Sequence, residues 1–189
     1  MEVGSFYGAL KANPIIAAVK SAEGLSGCLK SDCGIVFVLF GDILSIADHV
    51  RRIKDAQKLA VVHIDLIDGL SPKEVSVRFM RDSTAADGII STRQPLISSA
   101  KDLGLLTVHR FFILDSIALS NVEKQMRGGR ADVVEILPGC MPKVISRLVK
   151  KIDVPLIAGG LISDGEDAAA ALAAGASAIS TTNPEVWFK

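Results

Sequence analysis

Eight short apolar runs, rich in Ile, Val and Leu, recur along the chain. They are PIIAAV (14–19), GIVFVLF (34–40), LAVVHID (59–65), DGIIST (87–92), LLTVHRFFI (105–113), DVVEILP (132–138), VPLIAGG (154–160) and ASAISTT (176–182). Each is bounded by Gly, Pro or polar residues, as strands are. Most are continuously apolar rather than alternating, which suits a strand buried on both faces. A parallel sheet covered by helices provides that environment.

Segments of helical period fill the intervals. Over 42–57, Ile43, Ile46, Ala47, Val50 and Ile53 fall on one face. Over 142–152, Val144, Ile145, Leu148, Val149 and Ile152 face inward, with Arg147, Lys150 and Lys151 outward. Ser71-Pro72-Lys73-Glu74 and Ser163-Asp164-Gly165-Glu166 read as capping boxes, and Asn183-Pro184 opens a short last helix. Gly104 and Gly175 stand where C-terminal caps belong. Eight strand–helix units closing on themselves give a compact (β/α)8 TIM barrel, one α/β domain over residues 1–189. The chain is short for a fold of about 250 residues, so loops must be brief. A doubly wound open sheet is the alternative.

Composition narrows the partner classes. Lys plus Arg and Asp plus Glu number 21 each, so the formal charge is zero and there is no general pull toward nucleic acid or anionic lipid. Cys28, Cys33 and Cys140 are odd in number and form no C-x-x-C pair, which argues against a disulfide framework or zinc site. The stretch MEVGSFYGALKANP has no export-signal pattern, and no apolar run approaches membrane-spanning length. The expectation is a cytoplasmic protein without a membrane partner.

Ligands of such barrels bind at the C-terminal ends of the strands. Here those ends are polar: His63 and Asp65; Ser91, Thr92 and Arg93; His109 and Arg110; Asp115; Glu135; Pro138-Gly139; Gly159-Gly160; Thr181, Thr182 and Asn183. The loops after strands seven and eight predict a phosphate site, because Gly159 and Gly160 bare the main chain and Thr181-Thr182-Asn183 adds hydroxyls and a helix cap. The plainer alternative is that Gly160 relieves a turn and Asn183 only caps.

His63 and Asp65, two apart on one strand, share a face. With Glu135 they offer three metal donors, or a hydrogen-bonded floor for a hydroxylated ligand; the floor is preferred, since no tighter cluster exists. Arg93 and Arg110 either reach a phosphate or hold a carboxylate such as Glu135. His109 is a candidate general base or a packed strand residue, and His49 a surface residue in mid-helix. Lys143 either contacts an anion or begins a solvated helix face. No lysine stands inside a predicted strand, which disfavours a Schiff-base aldolase. Arg147, Lys150 and Lys151 form a basic face, for solvent or for RNA.

The motifs VVHIDLIDGL, GIISTR, VHRFFILD, VEILPGCMPKVI, PLIAGGLI and STTNPEVW, in this order from about Ile15 to Trp187, closely resemble the glycerol-3-phosphate-responsive antiterminator family, the glycerol uptake operon regulators. The resemblance implies a barrel that senses glycerol 3-phosphate, binds leader mRNA and prevents termination, with no other cofactor. Carried onto this chain, it implies a ligand site drawn from His63, Asp65, Arg93, Arg110, Glu135, Lys143, Gly159, Gly160, Thr181 and Thr182. His109 and Phe111 depart from the family pattern, which has Gln and Thr there. The competing reading is a phosphosugar or glycerol-phosphate isomerase or lyase, with Glu135 and a histidine, His109 or His63, as its acid–base pair. A carboxylate of raised pKa beside an open pocket favours chemistry; carboxylates paired with Arg93 and Arg110 favour binding. The oligomeric state is open to either monomer or homo-oligomer.

Overall fold

The computed structural model describes residues 3–127 and 130–188. The eight expected strands all form: β1 (Ile15–Val19), β2 (Ile35–Val38), β3 (Leu59–His63), β4 (Gly88–Ser91), β5 (Leu106–Phe112), β6 (Val133–Leu137), β7 (Leu156–Gly159) and β8 (Ala178–Thr181). They pair in parallel, each with the next, and β8 closes on β1 in the register Ile15↔Ile179 and Ala17↔Thr181. The sheet is a closed barrel, so the open-sheet alternative fails. Nine helices surround it among the described residues: α1 (Val3–Ala12), α2 (Ala22–Cys28), α3 (Ile46–Asp55), α4 (Glu74–Ser83), α5 (Gln94–Asp102), α6 (Ser116–Arg127), α7 (Pro142–Leu148), α8 (Gly165–Ala173) and α9 (Pro184–Trp187).

Alternation along the strands divides the apolar residues between two environments. Ile16, Ala18, Ile35, Phe37, Val61, Ile90, Val108, Val133, Ile157 and Ala178 fill the barrel interior. Their strand neighbours, such as Val36, Val62, Val134 and Ile179, pack outward under the helices. Phe6 and Leu10 of α1 join the interior cluster, and the Tyr7 hydroxyl donates to the Asp132 carbonyl at 3.1 Å. The stretch expected to carry no export signal is thus, from residue 3 onward, largely a helix packed against the barrel interior. Met1 and Glu2 lie outside the described residues.

Three local expectations need correction. The helix predicted over 42–57 is only α3: Asp42 Oδ1 accepts the Leu44 and Ser45 amides and turns the chain first. Ile46, Val50 and Ile53 are buried as expected, but Ile43 and Ala47 are exposed. The box at Ser71 does not form; α4 begins at Glu74 behind Lys73, and the Ser71 carbonyl instead accepts the Ser76 hydroxyl at 2.7 Å. The second box is shifted by one residue. Asp164 caps α8 by accepting the Glu166 and Asp167 amides, while Asp167 Oδ2 reaches back to the Ser163 amide at 2.9 Å. A carboxylate competes well for these amides, and short polar side chains of several kinds fill the same role.

Gly104 (φ +74°) and Gly175 (φ +103°) end α5 and α8 as expected. In each case the following residue's amide reaches back to the helix: Leu105 to the Ala100 carbonyl and Ala176 to that of Ala171. Asn183 caps α9 through the Glu185 amide at 3.0 Å.

Candidate functional site

The C-terminal ends of the strands enclose a cavity of about 730 Å³. Its floor is the topmost inward layer of the barrel. Arg110 follows Val108 on the inner face of β5, and Glu135 follows Val133 on that of β6. Arg110 Nε donates to Glu135 Oε2 at 2.6 Å, and Ser180 Oγ of β8 donates to Glu135 Oε1 at 2.6 Å. Glu135 is fully buried and Arg110 is 7% exposed. A buried carboxylate of this kind is tolerated because each oxygen has a donor, one of them cationic.

This floor explains Gly159. A Cβ there would stand 2.5 Å from Ser180 Oγ and 2.6 Å from Glu135 Oε1. The bare position makes room for the carboxylate, not for a ligand approaching the main chain. Gly160 has the different role of a turn: its φ is +70°, and Leu161 follows at +57°. Both line the cavity, with Leu161 73% exposed.

The loops after β7 and β8 meet. Thr181 Oγ1 donates to the Ile162 carbonyl at 2.7 Å, and Asn183 Nδ2 to the Ser163 carbonyl at 2.6 Å. Gly160, Ile162 and Ser163 from one loop, and Thr182 and Asn183 from the other, therefore form a continuous wall. Leu39 and Leu66, after β2 and β3, line it across from these loops, and Leu137 at the end of β6 packs beside Gly160.

Of the residues singled out from the sequence, Arg110, Glu135, Gly160, Thr181 and Thr182 line this cavity, and Gly159 lies beneath it. His63 is buried at the end of β3, behind Arg110. Its Nδ1 has no hydrogen-bond partner, and burial, with the nearby guanidinium second, pushes its pKa down to about 4. Asp65 does not share a strand face with it, because β3 ends at His63 and Asp65 belongs to a 3₁₀ turn (Ile64–Leu66). There Asp65 accepts the Ser91 and Thr92 hydroxyls and the Thr92 amide, with Arg93 Nε 3.6 Å away. That forms a second polar cluster over β3 and β4, apart from the cavity. Lys143 is exposed on α7 and does not line the cavity. Among the described residues no group of three or more His, Cys, Asp or Glu is placed to hold a metal ion.

His109 and Phe111 lie on the outer face of β5, opposite Arg110, and their rings stack with centroids 4.1 Å apart. These two residues thus pack on each other, away from the cavity. His49 is not simply a surface residue: it packs on Phe40 at 4.7 Å, with Nδ1 buried. Arg147 and Lys151 both pair with Glu123 of α6, at 3.0 and 2.7 Å.

Sequence reading missed Lys20, which follows β1 and lines the cavity, and Ser180 on the floor. The signal for Lys20 was the one used elsewhere, a polar residue ending a strand.

The closed barrel and its cavity at the strand ends place the chain among the (β/α)8 barrels. The comparisons narrow this. The family model described as glycerol-3-phosphate responsive antiterminator matches residues 15–187. The uncharacterized protein YgcP of Escherichia coli (strain K12) is 48% identical over 178 residues, 94% of this chain and 93% of that one. The crystal structure of a glycerol uptake operon antiterminator regulatory protein from Listeria monocytogenes str. 4b F2365 superposes with a TM-score of 0.88 at 30% identity, covering 93% of this chain and 95% of that one. That of a glycerol uptake operon antiterminator-related protein from Thermotoga maritima MSB8 gives 0.81 at 34% identity, over 92% and 96%. The chain belongs to the glycerol-3-phosphate responsive antiterminator family. No helix among the described residues is long and apolar enough to cross a membrane.

Proposed function

We propose that this single-domain barrel binds glycerol 3-phosphate in the cavity and, so loaded, binds the leader mRNA of glycerol-utilisation genes and prevents termination. The observation that carries the ligand assignment is the juxtaposition of the β7 and β8 loops in one wall above the Arg110–Glu135 floor. The phosphate lies against the main chain at Gly160 and the hydroxyl of Thr182. The glycerol hydroxyls turn to the floor, where Arg110 donates and Glu135 accepts. Thr181 holds the two loops together, and His63 backs Arg110 as a neutral ring. Asp65 and Arg93 shape the neighbouring rim, and Lys143 stays outside the contact.

The enzyme reading has a specific difficulty. Glu135, its best base, has one oxygen on Arg110 and the other on Ser180. A carboxylate so engaged is a binding group rather than a free base. The RNA part of the proposal rests on the family relationship, with Arg147, Lys150 and Lys151 as the candidate RNA face.

The test is leader-RNA binding with and without sn-glycerol 3-phosphate. A switch of ordinary allosteric strength tightens RNA binding by roughly 5–150-fold. Equal RNA affinity in both conditions rejects it.

A further inference from the structure

Among the described residues, three charged side chains line the cavity: Lys20, Arg110 and Glu135. Arg110 and Glu135 neutralise each other on the floor. Lys20 has no ion-pair partner among the described residues and is exposed at the mouth. The cavity therefore carries one uncompensated positive charge, and its position is set by the sheet. β1 pairs with β8 in the register Ala17↔Thr181, so Lys20 emerges beside Thr182 and Asn183. Behind it, Ser21 caps α2 by accepting the Gly24 amide at 3.1 Å, which fixes where the chain leaves the barrel. Around the barrel the order is the β7 loop, the β8 loop, then Lys20.

We infer that Lys20 is the cation that binds the ligand's phosphate, across the β8 loop from Gly160. This rests on the ligand reading proposed above and assigns a residue to it. Main-chain amides and a threonine hydroxyl are neutral donors. A doubly charged monoester also needs a counter-charge, and an ammonium with three donors supplies it without demanding one geometry. Arg110 is a poor substitute, because its charge is already spent on Glu135. The division of labour follows: Lys20 reads charge at the mouth, and the Arg110–Glu135 pair reads hydroxyls at the floor.

Calorimetry on the full chain tests this with sn-glycerol 3-phosphate and inorganic phosphate as probes. Lys20→Met loses about ten-fold or more in affinity for both, the scale of one charge-assisted hydrogen bond. Lys20→Arg retains affinity within about three-fold, since the charge is kept. Lys30→Met, a change of equal charge on the exposed surface after α2, leaves both affinities unchanged. Melting without ligand is the same in all three variants. If the wild-type chain binds neither probe, this assignment and the ligand reading fall together. If the wild-type chain binds and Lys20→Met binds equally well, only the Lys20 assignment falls. Equal losses in Lys20→Met and Lys20→Arg overturn the role of charge.

Discussion

Ser180 Oγ reaches Glu135 Oε1 at 2.6 Å by passing over Gly159, whose strand lies between theirs. A hydrogen bond between β6 and β8 is open only because β7 carries no side chain at that level. The floor of the cavity is thus one unit of four residues, Arg110, Glu135, Gly159 and Ser180. Glu135→Gln removes the charge that balances Arg110 in a buried setting and costs about 3–5 kcal/mol. Gly159→Ala forces the carboxylate or the hydroxyl to move and costs about 1–3 kcal/mol. Urea unfolding of both variants measures these losses; wild-type stability in Glu135→Gln would show that the pair is not buried in solution.

Gly160→Val separates the turn from the floor. The new side chain meets a backbone at φ +70°, and its Cβ stands 3.1 Å from Leu137 Cδ2. The left-handed conformation alone costs about 1–2 kcal/mol for a non-glycine residue. The barrel still folds, as circular dichroism will show, but the loop shifts and calorimetry detects no glycerol 3-phosphate binding. Unchanged affinity removes the phosphate from this loop.

Acid weakens this protein through His63. Its pKa is about 4 in the fold, against an ordinary value of 6.5, chiefly because burial disfavours the charged ring. The unfolded chain therefore binds the extra proton between those two values. Stability is complete above pH 6.5 and falls as the pH drops toward 4, by roughly 3 kcal/mol over the window. Burial also lowers the pKa of His109, which adds in the same direction. Denaturant titrations across this range, on wild type and His63→Gln, test the assignment: the variant has a shallower slope.

Gln57 follows the C-terminal end of α3 at φ +59°, and the next amide, of Lys58, donates to the Ile53 carbonyl at 3.2 Å. This is the position that Gly104 and Gly175 fill elsewhere in the chain. Gln57→Gly relieves the strain and stabilises the fold by roughly 0.5–1 kcal/mol. The check is thermal melting, and a lower melting temperature refutes it.

Arg147 and Lys151 converge on Glu123, whose carboxyl is held below its usual pKa range by the hydrogen bond from Lys151 and by the two positive charges. Replacing Arg147, Lys150 and Lys151 together with Ala weakens leader-RNA binding and flattens its salt dependence, as loss of phosphate contacts does. Gel shifts at several salt concentrations that match wild type would clear this face of the role.

All eight strands and the closed parallel fold were legible in the chain, because burial on both faces imposes a continuous apolar run that no other element shares at this spacing. Arg110, Glu135, Gly160, Thr181 and Thr182 were legible as well, since a polar residue ending such a run has few other uses. The partners of these residues were not. That Glu135 takes Arg110 rather than Arg93, and that Gly159 is bare for the sake of Glu135 and Ser180, depends on side chains 25 and 45 residues apart meeting inside a closed ring. Asp65 leaves its strand, and Lys20 joins the cavity, for the same reason. Local composition specifies which residues are buried and which end a strand; the closure of β8 on β1 decides which of those ends face one another.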